Sequence, residues 1–218
     1  KSYFSGCSNG GRQGLLEAAR FPEDYDGVIA GAPAATFPGI PRSAFLASYL
    51  MADPARLFTP QKLETLQRAV VAQCDKLDGV VDGLISAPMQ CKFDPAKLQC
   101  KGEDKGTCLT AAQVETVRTF YTSMGAARGQ NYFDQVLPGT EPYWYWNDIL
   151  ATADGNPRAS MSAAGVAETW YNAVVKPGGN WRLQDFDAKR DIDAFMTKNE
   201  LFVASPDLSA FAARGGKL

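Results

Sequence analysis

The first twelve residues, Lys1-Ser2-Tyr3-Phe4-Ser5-Gly6-Cys7-Ser8-Asn9-Gly10-Gly11-Arg12, decide the fold of this chain. Their first part predicts a short strand, and the apolar spacing from Gly11 to Arg20 predicts a helix. Between the two lies Gly6-x-Ser8-x-Gly10, in which the glycines Gly6 and Gly10 supply the small neighbours that a sharp turn needs. The stretch therefore predicts a strand, a tight turn and a helix, with Ser8 at the apex of the turn.

A serine in that position predicts a nucleophile. In the nucleophile elbow of an α/β-hydrolase, the serine hydroxyl projects above the edge of the sheet, where a substrate can reach it. The backbone amide of Asn9, in the first turn of the following helix, would point at the oxyanion that develops during attack on an ester. A purely structural glycine turn is the alternative, and the strand before Ser8 and the helix after it favour the nucleophile.

The chain then leaves the core of the fold. Val28-Ile29-Ala30, between glycines, predicts the next core strand and completes a β-α-β slice over residues 1–35. Prolines follow and no further strand is predicted, which indicates a large, mainly helical inserted lid at 36–204. Residues 205–218 predict a return to the core. The predicted fold class is α/β, a fragment of an α/β-hydrolase core with an inserted lid domain.

Two helices of the predicted lid have clear starting signals. Thr59 followed by Pro60 places a capping residue before a proline at the first helical position. Thr110 and Gln113 have the spacing of a capping box, in which each residue satisfies a backbone donor of the other.

Composition limits the class of protein. The 218 residues include 24 acidic and 22 basic side chains, a net charge of −2, which favours neither a nucleic-acid partner nor an anionic membrane surface. No apolar run has transmembrane length. The chain contains no histidine, although a serine esterase uses histidine as its general base. Either the base comes from sequence outside these residues, or the protein is not a working esterase.

The five cysteines predict an oxidising compartment. Cys74, Cys91, Cys100 and Cys108 cluster in one polar, turn-rich segment, which favours two disulfides, and the four allow three connectivities. Free buried thiols are the alternative. The C-x-x-C spacing that is typical of zinc sites does not occur in the sequence, which weakens a zinc interpretation. Cys7 is left without a partner.

Three aspartates gather on the loop that follows Cys74. Asp75, Asp78 and Asp82 lie at spacings of three and four residues, and two of them precede glycine. Calcium binds six to eight oxygens from carboxylates and backbone carbonyls, but the spacing is not that of an EF-hand. From spacing alone, a calcium site and simple Asp-Gly turns are equally favoured.

The opening motif also carries a family resemblance. Gly6-Cys7-Ser8-x-Gly10-Gly11-Arg12, followed by the segment from Phe21 to Ala34, resembles the tannase and feruloyl esterase family. This family includes feruloyl esterases, tannases and mono(hydroxyethyl) terephthalate hydrolase, and the resemblance covers the chain but only the middle of the family's length. It implies that Ser8 is the nucleophile and that Cys7 forms a disulfide with a cysteine beside the catalytic histidine, absent here.

The resemblance also assigns the remaining candidate residues. It implies disulfides between Cys74 and Cys91 and between Cys100 and Cys108. It implies a structural calcium ion in the lid, whose ligands are the side chains of Asp75, Asp78 and Asp82 with the carbonyls of Val80 and Leu84.

The sequence thus predicts the middle section of a secreted or periplasmic serine carboxylesterase that acts on small aromatic acid esters, truncated before its catalytic Asp and His and inactive alone. No nucleic-acid or membrane partner is expected. One alternative is a catalytically dead, calcium-stabilised secreted binding module on the same fold. Another makes Cys7 the nucleophile, although the apex of the elbow is Ser8.

Overall fold

The computed structural model describes residues 1–34, 39–122, 135–142, 144, 164–197, 205 and 207–218. Contacts divide the chain into two units, one of Lys1–Pro41 with Lys189–Leu218 and one of Arg42–Ala188. The strands are β1 (Tyr3–Cys7) and β2 (Gly27–Gly31), and the α-helices are α1 (Asn9–Arg20), α2 (Gly39–Met51), α3 (Pro60–Cys74), α4 (Ala111–Phe120), α5 (Ala164–Trp170), α6 (Ala188–Thr197) and α7 (Ser209–Ala213). The predicted lid at 36–204 and the core segments at 1–35 and 205–218 remain predictions.

The first unit is built on a β-α-β arrangement, as the sequence predicts. β1 and β2 are parallel neighbours, with Tyr3 opposite Gly27 and Cys7 opposite Gly31, and α1 connects them. A small apolar core lies between this sheet and the helices, made by Ala18, Val28 and Phe211 with Phe4 packed against them. α1 lies so close to the strands that a Cβ at Gly14 would be 2.9 Å from Val28 Cγ1.

The end of the chain returns to this sheet. After α7, Lys217 forms a parallel bridge with Gly27, in which the Val28 amide donates to the Lys217 carbonyl at 2.8 Å. In the described residues this contact is a single bridge beside β2. Arg214 fastens the same region, because its guanidinium donates to the carbonyls of Pro22 and Tyr25.

The second unit buries one face of α3 and one face of α4. Both predicted starting signals are confirmed: the Thr59 hydroxyl accepts from the Lys62 amide at 3.4 Å, and Thr110 and Gln113 form a reciprocal capping box. The helices bury apolar residues at helical spacing, and other segments complete the core: Leu63, Leu66, Val70, Val114, Val117, Phe120, Phe58, Leu109 and Trp144. Helical periodicity in the sequence therefore translates directly into the packed face of each helix.

Two disulfides close the loops beside this core. Cys74 is bonded to Cys91 and Cys100 to Cys108, the pairing that the family resemblance implies. Cys7 is a free, exposed thiol. The longer loop, between Cys74 and Cys91, contains all three candidate calcium ligands that act through side chains.

The second unit also buries a carboxyl group. Glu141 is completely buried and accepts hydrogen bonds from the Tyr121 hydroxyl and, at 3.0 and 3.1 Å, from the Gly139 amide. Burial raises the pKa of Glu141 above its ordinary value, against the opposing effect of these hydrogen bonds.

Among the residues that the structure describes, no helix combines the length and apolarity needed to cross a bilayer.

Candidate active site at the strand-to-helix turn

Ser8 occupies the turn between β1 and α1 in a backbone conformation that L-residues seldom adopt. Its φ is 57° and its ψ is −116°, and it is one of two non-glycine residues with positive φ in the described chain. A residue held there costs about 1–3 kcal/mol and persists only where its surroundings impose the conformation. Ser8 is exposed, and its hydroxyl does not cap α1. The side chain therefore stands at the apex of a strained turn, free of a structural role in the helix.

Backbone hydrogen bonds hold this turn against the end of β2. The Ser8 amide donates to the Gly31 carbonyl at 3.0 Å, and the Ser8 carbonyl accepts from the amides of Arg12 and Ala34, both at 3.0 Å. The peptide groups on both sides of Ser8 are therefore held by Gly31, the last residue of β2, and by Ala34 beyond it. These contacts explain how the unusual backbone conformation is maintained.

Two glycines near Ser8 have no room for a side chain. They are Gly6, as the sequence predicts, and Gly11 rather than the predicted Gly10. A Cβ on Gly6 would lie 2.5 Å from the Gly10 carbonyl carbon, and a Cβ on Gly11 would lie 2.5 Å from the Gly31 carbonyl oxygen. A Cβ on Gly10 would meet nothing within 4 Å among the described residues. The expectation that Gly10 must be small is therefore wrong. A Cβ on Gly6 would clash with the backbone of Gly10, and Gly11, like Gly14 one turn later, lets α1 approach β2.

Asn9 is the first residue of α1 and is exposed. The first amides of a helix have no acceptor within it, and the helix dipole adds partial positive charge at this end. The Asn9 amide thus has the chemistry of an oxyanion donor beside Ser8. Cys7, the last residue of β1, presents a free thiol on the other side of Ser8.

The general base of a serine hydrolase is not found in these residues, because the sequence contains no histidine. A hydroxyl group alone is a weak nucleophile and needs such a base to accept its proton. The site as described therefore holds a nucleophile candidate and an oxyanion donor, but not the base.

The candidate calcium loop begins as a 3₁₀ turn at Asp75–Asp78. The buried Asp75 carboxylate accepts from the amides of Asp82 and Gly83 at 3.2–3.3 Å. Asp78 accepts from the amides of Val80 and Ser86, both at 2.9 Å. These hydrogen bonds, with that from Val80 first, hold the pKa of Asp78 below its usual range.

The other features of the loop are its turns. Asp82 accepts from the Leu84 amide at 3.0 Å, and the glycines after Asp78 and Asp82 both have positive φ, as Asp-Gly turns require. Val80 and Leu84 are exposed.

The donor set of this loop fits a hard cation in chemical kind. Three carboxylates lie within eight residues, and each oxygen that accepts one hydrogen bond keeps a further lone pair. The oxygens of these three carboxylates do not all lie within 4.8 Å of one another. In the described part of the chain, the one group of three metal-ligating side chains that meets this distance is Cys100, Asp104 and Cys108. Two members of that group are joined in a disulfide and offer no thiolate. The aspartate loop would have to contract to surround an ion.

Three groups that hold the turn at Ser8 were not predicted from the sequence: the Gly31 carbonyl, the Ala34 amide and Gly11. The Gly31 carbonyl and the Ala34 amide act through the backbone, so their side chains carry no signal. Gly11 did carry one, because a second glycine directly after the motif indicates a close approach of the helix to its sheet.

Comparisons with known proteins place the chain in a family. The sequence profile described as "Tannase and feruloyl esterase" matches residues 1–218. Among curated relatives, the chain is 35% identical over 228 residues to probable feruloyl esterase B-2 of Aspergillus flavus and 32% identical over 223 residues to feruloyl esterase C of Talaromyces stipitatus. Each alignment covers 100% of this chain and 40% of the relative. The chain therefore spans about 40% of the length of these relatives.

Solved structures of related proteins support the same family assignment. The crystal structure of feruloyl esterase B from Aspergillus oryzae has a TM-score of 0.77 at 33% identity, over 100% of this chain and 42% of that one. Tannin acyl hydrolase from Aspergillus niger has a TM-score of 0.73 at 20% identity, over 99% and 42%, which supports the fold alone. The α/β class and the resemblance read from the opening motif are confirmed. The chain belongs to the tannase and feruloyl esterase family.

Proposed function

We propose that this chain supplies the nucleophile of a serine carboxylic ester hydrolase that acts on esters of aromatic acids, of the phenolic or terephthalate type. The observation that carries the proposal is Ser8 itself, which is exposed and has a strained backbone held by the end of β2 and by Ala34 beyond it. Such strain at a non-glycine residue is characteristic of functional sites, and a nucleophile elbow requires it at this residue.

In the proposed reaction, Ser8 Oγ attacks the ester carbonyl and forms an acyl-enzyme as the alcohol leaves. The Asn9 amide donates to the oxyanion of the tetrahedral intermediate, at the end of α1 where the helix dipole also favours negative charge. A histidine outside these 218 residues takes the proton of Ser8 and passes it to the leaving alcohol. Water then hydrolyses the acyl-enzyme and releases the aromatic acid.

The substrate class is proposed from the relatives, which are named feruloyl esterases, and from the family description, which names tannase and feruloyl esterase. Ferulate and gallate esters, like terephthalate monoesters, all pair an aromatic acyl group with an alcohol. The 218 residues alone are proposed to be inactive, since loss of the histidine base of a serine triad costs turnover on the order of 10⁶-fold.

A fluorophosphonate probe tests the nucleophile. In the full-length protein we expect covalent labelling of Ser8 and loss of labelling in Ser8→Ala. Absence of labelling in the native full-length protein would favour the catalytically dead binding module instead. Loss of activity on alkylation of Cys7, with activity retained in Ser8→Ala, would assign the reaction to Cys7.

We also propose that the aspartate loop binds a structural calcium ion. Asp75, Asp78 and Asp82 would supply carboxylate oxygens, and Val80 and Leu84 would supply carbonyls. The ion would neutralise three clustered negative charges on a loop that the Cys74–Cys91 disulfide already closes. The proposal gives this ion no part in the chemistry at Ser8.

Thermal unfolding tests the calcium site without reference to activity. At a free calcium concentration 100 times Kd, binding adds about 2.7 kcal/mol to the stability of the folded protein, so Tm should rise by several degrees relative to a chelator. Asp75→Asn keeps the size of the buried side chain but removes its charge, and should abolish the rise. Asp94→Asn is the matched control, because Asp94 caps a 3₁₀ turn outside the loop. Equal Tm values for the native protein in calcium and in chelator would contradict the site.

We propose a secreted or periplasmic location, on the basis of the two disulfides. Such bonds persist in oxidising compartments and are rare in the cytosol.

A further inference from the structure

A concave site lies within the Arg42–Ala188 unit. It is a groove of about 610 Å³, inside the 300–1,000 Å³ range typical of small-molecule sites. Its lining comes from the last turns of α2, the 3₁₀ turn Pro54–Arg56 and residues 183–188. Nothing in the proposed chemistry of Ser8 uses it.

Aromatic rings form one wall of the groove. Phe45 stacks on Tyr49 with 6.5 Å between ring centroids and 19° between planes, and Phe186 meets Phe45 edge-on at 6.5 Å and 69°. All three side chains are half-buried, so part of each ring remains open to the groove. Such a wall suits a flat aromatic ligand, because aromatic pairs prefer offset-stacked or edge-to-face contacts.

The positively charged side chain of Arg56 lies beside these rings. The guanidinium of Arg56 lies over the Tyr49 ring, with Cζ 4.2 Å from the centroid, and one of its nitrogens donates to the Tyr49 carbonyl at 2.6 Å. These contacts fix the plane of the guanidinium and occupy one of its five N–H donors. Within the described ranges, Arg56 forms no ion pair with a carboxylate. A half-buried, oriented guanidinium without an internal anion is suited to bind an external carboxylate through two parallel hydrogen bonds.

The other polar residues that line the groove form no ion pair with Arg56 in the described part of the chain. The Ser48 hydroxyl donates to the Phe45 carbonyl at 2.9 Å, and the Gln184 side chain is neutral and exposed. Asp187 is exposed and has a contact of its own within the chain.

We propose that this groove binds a small aromatic monocarboxylate, with the carboxylate paired to Arg56 and the ring against Phe45 and Phe186. The inference rests on the proposed function in one respect, because hydrolysis of an aromatic ester releases such an acid. The groove is then a second site for the acid product, separate in its residues from the nucleophile Ser8.

Calorimetric titration of the full-length protein with 4-hydroxycinnamate tests this site. Ser8 is first blocked with the fluorophosphonate, so that binding of the acid at the nucleophile does not obscure binding at the groove. We expect saturable binding to the blocked protein, and weakening by at least about tenfold in Arg56→Gln, since a hydrogen-bonded charge pair is lost. Arg68→Gln removes the same charge from an exposed arginine of α3 and should leave the affinity unchanged.

A ligand control requires no variant. The methyl ester of the same acid keeps the ring and loses the charge, so it should bind the blocked protein at least about tenfold more weakly than the acid. Arg56→Lys keeps the charge without the planar fork and should fall between the native protein and Arg56→Gln.

Absence of saturable binding, equal affinity for acid and ester, or an unchanged affinity in Arg56→Gln would each overturn the proposal. Failure of the fluorophosphonate to label Ser8 would overturn the proposed function instead. In that case the titration is run on unblocked protein and still decides the groove.

Discussion

Ser8→Ala in the full-length protein is expected to lower kcat for ester hydrolysis on the order of 10⁶-fold, the loss measured when a triad serine is removed. The reason is that no acyl-enzyme can form, while the fold is retained because alanine occupies the same strained backbone. Ester hydrolysis measured on purified protein, with Tm as the check on folding, gives the result. Ser5→Ala, an exposed serine of β1 three residues earlier, is the matched control and should retain activity.

The strain at Ser8 predicts a further difference between substitutions. Glycine tolerates positive φ without steric cost, so Ser8→Gly should be as inactive as Ser8→Ala but more stable, by about 1 kcal/mol or more. A Ser8→Ala protein that hydrolyses esters at the native rate would remove Ser8 from the reaction.

Gly11→Ala is expected to destabilise the protein by about 3 kcal/mol or more, near the upper end of the cost of overpacking. Its Cβ would lie 2.5 Å from the Gly31 carbonyl oxygen and 2.9 Å from Pro33 Cα, and both contacts are to backbone or ring atoms that cannot rotate away. Because Gly31 accepts the Ser8 amide, displacement of β2 should also lower activity. Thermal and denaturant unfolding of the full-length protein measure the stability change.

Gly10→Ala is the control, one residue away. Its Cβ meets nothing within 4 Å in the described chain, and alanine is preferred to glycine in a helix by up to about 1 kcal/mol. Stability should therefore be unchanged or slightly raised. Equal destabilisation by the two substitutions would show that α1 does not approach β2 as described.

Local signals in the sequence predicted the local structure well. The caps at Thr59 and Thr110 act over three residues, and both helices begin where those residues indicate. The elbow is also local, because its strand, turn and helix are contiguous. The pair of glycines after Ser8 signalled a close approach of α1 to the sheet, but which of the two faces β2 depends on the rotation of α1 against residues some twenty positions away.

Features formed by distant segments were not predictable. The groove brings Tyr49 and Arg56 together with Phe186, about 130 residues later, and no periodicity links them. The same holds for the buried amine of Lys62, which donates to Asp104 and to Gln113. Spacing could suggest that three aspartates share a loop, but not how closely their carboxylates approach one another.

The buried carboxyl of Glu141 makes folding of the Arg42–Ala188 unit a proton-binding reaction. In the unfolded chain this group ionises near its ordinary pKa of 4.5, whereas in the folded unit burial raises the pKa. Between those two values the folded state holds one more proton than the unfolded state. The contribution of Glu141 to stability is therefore complete below pH 4.5 and is lost as the pH rises through the folded pKa. The heat of unfolding in that window includes the heat with which the buffer takes up the released proton.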